Sequence, residues 1–156
     1  MEPIFVLDLE FNRGEALTEI GICMVIKLDD GVLTAARPQQ YLLKIGEEPK
    51  ISLLGACEML KNMGTERSMW ASWGVADRHE LKQRTQEIVV AMPVGYFHID
   101  IGPMYAALMK LDRPIKLKRA AEELTGRFYG SQHHADDDAF NAARILASLM
   151  NRFDRA

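Results

Sequence analysis

An apolar run near the start of the chain, FVLDLEF at positions 5–11, carries two carboxylates at alternate positions. A short and nearly continuous apolar run is typical of a strand covered on both faces, and side chains two positions apart on a strand share one face. Because buried carboxylates are costly and like charges repel, Asp8 and Glu10 need a compensating cation if this point of the strand is buried. Carboxylate oxygens are the ligands that Mg²⁺ prefers, so the pattern indicates a metal site. The alternative is that the strand reaches the surface here and both acids are solvated.

A second acidic cluster, HHADDDA at positions 133–139, opens the last predicted helix. Acids in a first helical turn interact favourably with the helix dipole, and one alternative makes Asp136 the N-cap. That alternative leaves the two histidines unexplained. A histidine five positions before an acid places an imidazole on the loop beside a carboxylate on the helix, and an imidazole pKa of about 6.5 suits it to accept a proton from water. His133, paired with Asp138, is therefore the candidate general base, and the spacing favours it over His134.

A third acidic position follows a tryptophan in SWGVADR at positions 72–78, where a strand end and a glycine turn lead into a helix. The functional interpretation adds Asp77 to the carboxylates of the other two segments. The structural alternative is that Asp77 caps the helix and that Trp73 belongs to the core. Taken alone, this segment favours the structural alternative.

Hydrophobic periodicity predicts a single α/β domain over residues 1–156, with a mixed central sheet of about five strands flanked by helices. The first strand is the central one, and it is predicted to end at Asn12, Arg13 and Gly14. A turn at 29–31 predicts a hairpin between the second and third strands. The predicted strands are Pro3–Leu9, Leu17–Lys27, Val32–Lys44, Met69–Trp73 and Tyr96–Ile101.

Helical spacing of apolar residues predicts the remaining elements. Predicted helices lie near Leu53–Leu60, at Asp77–Val90, after Pro103, at Lys116–Leu124 and at the end of the sequence. The last helix is predicted to bury one face, formed by Ala139, Ala142, Leu146, Leu149 and Phe153.

The net charge of the chain limits how it could bind a polyanion such as a nucleic acid. A formal net charge of −3 provides no global basic field, so the phosphates of a nucleic acid would have to be met by metal ions or by a local cluster. A solvated helix face is the alternative explanation for the one dense basic stretch. This stretch consists of Lys110, Arg113, Lys116, Lys118 and Arg119.

The location of the protein is expected to be cytoplasmic. Cys23 and Cys57 lie in apolar settings and form no CxxC pair, which favours reduced thiols over a disulfide. No apolar stretch approaches the roughly 20 residues that cross a membrane, and no export signal is found. No membrane association is expected.

Together, the three segments resemble the DEDDh branch of the DnaQ-like 3′-to-5′ exonucleases, which have the ribonuclease H-like fold. The segments FVLDLEFN, SWGVADR and HHADDDA are similar to the three motifs of that family in the expected order, and the last fits the pattern HxAxxDA. The form of the second motif is most similar to the KapD and Eri-type subgroup. The sequence departs from that subgroup between Pro49 and Trp70, which is shorter and less typical.

The resemblance implies a catalytic role for each motif residue. Asp8, Glu10 and Asp138 would hold two divalent cations, Mg²⁺ with Mn²⁺ as a substitute, and Asp77 would support the second ion. His133 would deprotonate the attacking water. Asp136 and Asp137 are not motif positions, and His134 occupies a variable one.

The resemblance also implies a substrate. The expected function is hydrolysis of single-stranded RNA or DNA from 3′ ends to nucleoside 5′-monophosphates, with a modest preference for RNA. Phe11 and Asn12 would line the pocket of the terminal nucleotide, and Trp73 is a further candidate for base stacking. A homodimer is expected by analogy with related enzymes. The alternative is a nucleic-acid-binding module that has this fold but little turnover, and the presence of every motif residue argues against it.

Overall fold

The computed structural model describes residues 1–12, 16–47 and 50–153. In these ranges six strands form one mixed sheet, and helices cover its faces. The strands are β1 (Ile4–Phe11), β2 (Leu17–Lys27), β3 (Leu33–Ala36), β4 (Leu42–Lys44), β5 (Trp70–Ser72) and β6 (His98–Asp100). The helices are α1 (Leu53–Asn62), α2 (Val75–Glu87), α3 (Ile101–Leu108), α4 (Leu117–Thr125) and α5 (Ala135–Phe153), with a 3-10 turn at Thr65–Arg67. Among them, no helix combines the length and apolar character that a bilayer crossing requires.

β1 is the centre of the sheet, as the sequence predicts. The strand order is β3-β2-β1-β5-β6, and β4 also pairs with β2. β1 is antiparallel to β2 and parallel to β5, which in turn is parallel to β6. The carboxyl ends of β1, β5 and β6 therefore meet at one edge of the sheet.

Successive residues of β1 enter two separate hydrophobic clusters, one on each face of the sheet. Ile4 and Val6 pack with residues of α3, α4 and α5, whereas Phe5, Leu7 and Leu9 pack with residues of α1 and α2. The strand is therefore covered on both faces, which is why it is a nearly continuous apolar run. Its two acids interrupt a buried element, so the solvated alternative for Asp8 is wrong.

The predicted third strand is two strands. Val32–Lys44 divides into β3 and β4, which pair antiparallel with different parts of β2. The chain leaves the sheet between them at Arg37 and Pro38, because proline lacks the N–H that a ladder requires and Arg37 turns toward α5, where its side chain lies 2.8 Å from Asp137.

Several predicted boundaries are also wrong by a few residues. α2 begins at Val75, two residues before Asp77, and β6 is only His98–Asp100, because Ile101 already opens α3. Phe153 is 59% exposed and does not join the buried face of α5. Of the predicted break after β1, Asn12 follows the strand directly, and Arg13 and Gly14 lie outside the described residues.

A glycine allows α5 to lie close to the sheet. Gly21 of β2 pairs with Asp8 of β1, and a Cβ atom on Gly21 would lie 1.9 Å from the carbonyl oxygen of Ala135. Ala135 is the first residue of α5. The missing side chain therefore brings the first turn of α5 against the strand that carries the first pair of acids.

We expect Gly21→Ala to destabilise the protein by about 1 to 3 kcal/mol or more, because the added methyl meets backbone atoms and not a flexible side chain. The free energy of unfolding in urea measures the effect. The displaced helix should also weaken any activity that depends on Asp138. A variant with unchanged stability would contradict the close approach of helix and strand.

Candidate active site

Asp8 and Glu10 lie at the edge of the sheet where the parallel strands end. Asp8 is in the middle of the β1–β2 ladder, and its buried Oδ2 has no hydrogen-bond partner among the described residues. Burial raises the pKa of Asp8 well above its usual value, and the charges of Asp77, Asp138 and Glu10 raise it further. A buried carboxylate oxygen without a partner, with three other carboxylates around it, is stable in its charged form only if a positive charge lies nearby.

Asp77 reaches this cluster from α2. It is the third residue of the helix and not its N-cap, which is Gly74, although its carboxylate accepts hydrogen bonds from the backbone of Gly74 and of Asp77 itself. Its Oδ1 accepts a hydrogen bond from the backbone N–H of Leu9 at 3.1 Å. Burial raises the pKa of Asp77 to about 6, although the bond from Leu9 opposes the shift. This contact fixes the start of α2 between the two acidic positions of β1.

Asp138 reaches the cluster from α5. It is 9% exposed, and its Oδ2 accepts a hydrogen bond from the backbone N–H of His133 at 3.0 Å. Burial is the main cause that raises the pKa of Asp138 to about 6, and the backbone bond from His133 opposes the shift. The helix thus holds a carboxylate inside the site, and the carboxylate in turn holds the preceding loop.

His133 presents its ring to solvent beside Glu10. Its backbone has a φ of 62°, the left-handed region that non-glycine residues rarely adopt. The side chain is 83% exposed, and Nδ1 lies 3.9 Å from Oε1 of Glu10. Burial raises the pKa of Glu10, and the charge of His133 is the largest influence that lowers it, ahead of that of His134. The imidazole is therefore adjacent to the carboxylates and accessible to a ligand.

The neighbouring acids of α5 have other contacts. Asp136 is inside the helix and not its N-cap, so that alternative is wrong. Arg37 lies 3.7 Å from Asp136 and 2.8 Å from Asp137. Asp137 also accepts a hydrogen bond from the backbone N–H of Ser131 at 2.9 Å. Asp136 and Asp137 thus attach the β3–β4 connection to α5 through Arg37, and Asp137 also attaches the loop before α5 through Ser131.

One group of side chains in the described residues has the geometry of a cation site. One ligand atom from each of Glu10, His133 and Asp138 lies within 4.8 Å of the others. Asp8 and Asp77 border this group, since their charges act on the same carboxylates. Four carboxylates and one imidazole fit divalent cations such as Mg²⁺, which take oxygen ligands and leave positions open for substrate.

Two clefts flank the acidic cluster. One, of about 370 Å³, is lined by Leu9, Phe11, Ala76, Asp77, Glu80 and Arg84. The other, of about 350 Å³, is lined by Trp73, Lys116, Leu117, Lys118, Gln132, His133 and Asp138. Phe11 thus shares a cleft with Asp77, Trp73 shares a cleft with Asp138, and part of the predicted basic stretch borders the second cleft.

The two remaining predictions about substrate contacts, those for Asn12 and Trp73, stay predictions. Asn12 lines neither cleft in the part of the chain that is described, and its Oδ1 accepts a hydrogen bond from the backbone N–H of Ala16 at 3.0 Å. Trp73 both lines a cleft and packs on Tyr105, with 6.1 Å between ring centroids. Glu80 and Gln132 line the two clefts and were not among the residues predicted from the sequence. Glu80 could have been found, because it is three residues from Asp77 on the same helical face.

Known structures share this fold. No protein-family model matches the sequence, and no curated protein matches it. The nuclease domain of 3′hExo, a DEDDh family member bound to rAMP, superposes with a TM-score of 0.71 at 16% identity, over 96% of this chain and 92% of that one. A full-length 3′-exonuclease gives a TM-score of 0.69 at 17% identity, over 97% and 61% of the two chains. A 3′-exonuclease in 3′-end specific recognition of histone mRNA stem-loop gives 0.66 at 15% identity, over 96% and 64%.

These identities establish the fold alone. The predicted ribonuclease H-like fold is confirmed, and the solved structures that share it include the nuclease domain of a DEDDh family member and two structures of a 3′-exonuclease. The chain spans less than two thirds of the length of the second and third of these proteins.

Proposed function

We propose that this chain is a metal-dependent 3′-to-5′ exonuclease that releases nucleoside 5′-monophosphates from single-stranded RNA or DNA ends. The observation that supports this most is the convergence of Asp8, Glu10, Asp77 and Asp138 beside the exposed imidazole of His133. The DEDDh exonucleases that share the fold provide the second support.

The acidic cluster would hold two divalent cations, Mg²⁺ or Mn²⁺. Asp8, Glu10 and Asp138 would be the main ligands, and Asp77 would support the second ion. The unpartnered Oδ2 of Asp8 and the raised pKa values of the buried carboxylates support this assignment. When bound, such cations neutralise the charge of the scissile phosphate and make a neighbouring water more acidic.

His133 would accept the proton of the attacking water, and Glu10 beside the ring would stabilise the imidazolium that forms. The water oxygen forms a bond to phosphorus, and the bond from phosphorus to the 3′ oxygen of the preceding nucleotide breaks. That oxygen takes up a proton from solvent, and the imidazolium returns its proton to solvent. The products are a nucleoside 5′-monophosphate and a chain with a new 3′-hydroxyl.

The two clefts would hold opposite sides of the scissile bond. The ring of Phe11, which lines the first cleft, would stack on the terminal base, and base stacking contributes about 1 to 3 kcal/mol. On the other side, Lys116 and Lys118 would meet the phosphates of the remaining strand. The rAMP and histone mRNA stem-loop in the neighbouring structures favour RNA.

A labelling experiment tests the direction of cleavage. With Mg²⁺ or Mn²⁺, a 3′-end-labelled oligonucleotide should release labelled mononucleotide at once, and a 5′-end-labelled one should shorten step by step. Parallel RNA and DNA substrates establish the preference. Internal fragments, or no product with either label, would contradict the proposal. Size-exclusion chromatography tests the proposed homodimer, and imaging of the protein in cells tests the proposed cytoplasmic location.

Divalent cations should stabilise the protein more at pH 8 than at pH 5. The pKa values of Asp77 and Asp138 are raised to about 6, so the folded state binds more protons than the unfolded state between about pH 4 and 6. In EDTA, the contribution of these groups to stability therefore falls as pH rises through that window. A cation at about 100 times its dissociation constant should raise the Tm by about 5 to 10 °C at pH 8, and less at pH 5.

The thermal measurement needs one matched variant. Asp138→Asn should flatten both the pH dependence in EDTA and the response to the cation. Equal cation shifts at the two pH values, or an unaltered response in the variant, would contradict the assignment of these carboxylates.

A further inference from the structure

A buried histidine lies on the edge strand of the sheet, outside the candidate active site. The side chain of His98 is 1% exposed, and its ring packs on Trp70 with 4.1 Å between centroids. Nε2 of His98 lies 2.9 Å from the hydroxyl oxygen of Ser72, at the end of β5. Nδ1 lies 3.5 Å from Oδ1 of Asp100, at the end of β6. The three side chains form a polar row that runs from the buried Ser72 and His98 to the partly exposed Asp100.

This row is not a nucleophilic catalyst, although it contains a serine, a histidine and an aspartate. Ser72 is fully buried, and its hydroxyl lies 2.6 Å from the carbonyl oxygen of Gly74. A carbonyl oxygen can only accept, so Ser72 must donate to it. A buried hydroxyl that is occupied in this way has no access to substrate.

The single proton of Ser72 determines the remaining contact. A hydroxyl has one proton to donate, and Ser72 gives it to Gly74. The contact of 2.9 Å with His98 is therefore a bond in which Nε2 donates and the serine oxygen accepts. The ring must carry its proton on Nε2.

The other side of the ring faces a carboxylate oxygen, Oδ1 of Asp100. Nδ1 of His98 and Oδ1 of Asp100 are both buried, and neither has a hydrogen-bond partner among the described residues. Asp100 occupies the N-cap position of α3, yet its side chain makes no capping bond. A hydrogen bond between these two atoms, which lie 3.5 Å apart, would need a second proton, on Nδ1 or on the carboxylate, in addition to the one on Nε2.

The acceptor of the Ser72 hydroxyl is the carbonyl of the residue directly before α2. Gly74 is the N-cap of this helix, and Asp77 follows in its first turn. The neighbouring carbonyl of Trp73 accepts a hydrogen bond from Gly102 at 2.8 Å, so the same turn is also attached to α3. The place of Gly74 therefore decides where the carboxylate of Asp77 meets β1.

We propose that His98 is a positioning residue for the active site: through Ser72 and Gly74 it fixes the first turn of α2 and so the carboxylate of Asp77. The inference rests on the role proposed above for Asp77 in cation binding. Groups that hydrogen-bond a metal ligand directly typically change metal affinity or activity by about 10- to 100-fold, which is the upper limit for a residue that acts through Ser72 and Gly74.

Two substitutions of His98 distinguish a need for the hydrogen bond to Ser72 from a need for any polar side chain at position 98. In His98→Gln, the amide nitrogen reaches the former place of Nε2 and can donate to Ser72. In His98→Asn, the shorter amide reaches only the place of Nδ1. Ser72→Ala removes the hydroxyl that connects His98 with Gly74. His79→Asn is the matched control, because His79 is an exposed histidine of α2.

Three measurements are expected to agree. Nitrogen-15 NMR of the wild-type protein should show a proton on Nε2 of His98. Calorimetry with Mn²⁺ alone should show weaker binding in His98→Asn and Ser72→Ala, by at most about 10- to 100-fold, and near wild-type binding in His98→Gln and His79→Asn. Amide exchange over residues 74–77 should be faster in the two weak variants. The double variant His98→Asn with Ser72→Ala should be no weaker than either alone.

The proposal is overturned if Nε2 carries no proton, or if folded His98→Asn binds Mn²⁺ and exchanges these amides as the wild type does. If His98→Asn does not fold, the contrast between His98→Gln and Ser72→Ala decides, together with the spectrum of the wild type. Absence of nuclease activity in the wild type would end the proposed function only, because the spectrum and the amide exchange require no turnover.

Discussion

Asp8→Asn is expected to slow mononucleotide release by at least about a thousandfold while leaving the metal-free protein as stable as the wild type or more so. The carboxylate is buried, its Oδ2 has no hydrogen-bond partner in the described part of the chain, and three other carboxylates act on it. Loss of a cation ligand removes several kcal/mol of transition-state stabilisation, which corresponds to this rate. The amide has almost the same shape and removes a buried charge, so the folded state loses a source of repulsion at neutral pH.

Asp136→Asn is the matched control for this substitution. Asp136 belongs to the same acidic segment as Asp138, but it faces Arg37 at 3.7 Å and not the site. We expect its rate to stay within about twofold of the wild type, because an ion pair at this distance contributes little. The rates come from single-turnover release of a 3′-labelled nucleotide, and the stabilities come from thermal unfolding in EDTA at pH 8. Wild-type turnover in Asp8→Asn would end the assignment of the metal ligands.

The sequence predicts the parts of this fold that follow from local periodicity. β1, β2 and α5 have strong patterns because each buries one or two defined faces against the rest of the chain. The two acids within β1 conflict with the burial of their strand, and this conflict indicates a functional site.

The rest of the site depends on contacts between distant segments, which no local pattern contains. The division into β3 and β4 depends on Arg37, which pairs with a carboxylate 100 positions away. Gly21 has the alternation of an ordinary strand, and nothing in its neighbours indicates that a helix backbone passes within van der Waals distance. The sequence around His98 indicates only a strand residue, because its partner Ser72 lies on the neighbouring strand β5 and is brought close by strand pairing.

In the third motif, the spacing of His133 and Asp138 can be read from the sequence, but the orientation of the His133 ring cannot. The interval of five residues between His133 and Asp138 is visible in the sequence, and it places the backbone N–H of one on the carboxylate of the other. The left-handed backbone of His133 is not visible there. This backbone turns the ring outward toward Glu10, whereas His134 lies outside the group of converging ligand atoms.

His133→Asn should therefore reduce the rate by about 10²- to 10⁴-fold, the usual contribution of a general base. Asparagine is a suitable replacement because it tolerates a positive φ, so the bond from the backbone of residue 133 to Asp138 should persist. Mn²⁺ affinity should fall much less than the rate. Without the base, hydroxide from solution must replace the deprotonated water, so the residual rate should rise continuously with pH up to pH 9.

His134→Asn distinguishes the two histidines of the doublet. It makes the same chemical change one residue away, and we expect a rate within a few-fold of the wild type and an unchanged pH profile. The comparison isolates the role of the ring because both variants keep the charge pattern of the helix start. If His134→Asn had the larger effect, the general base would be His134, and the turn at residue 133 would serve to orient its neighbour. Equal and small effects would mean that neither imidazole accepts the proton, and the exonuclease mechanism would then need a different base.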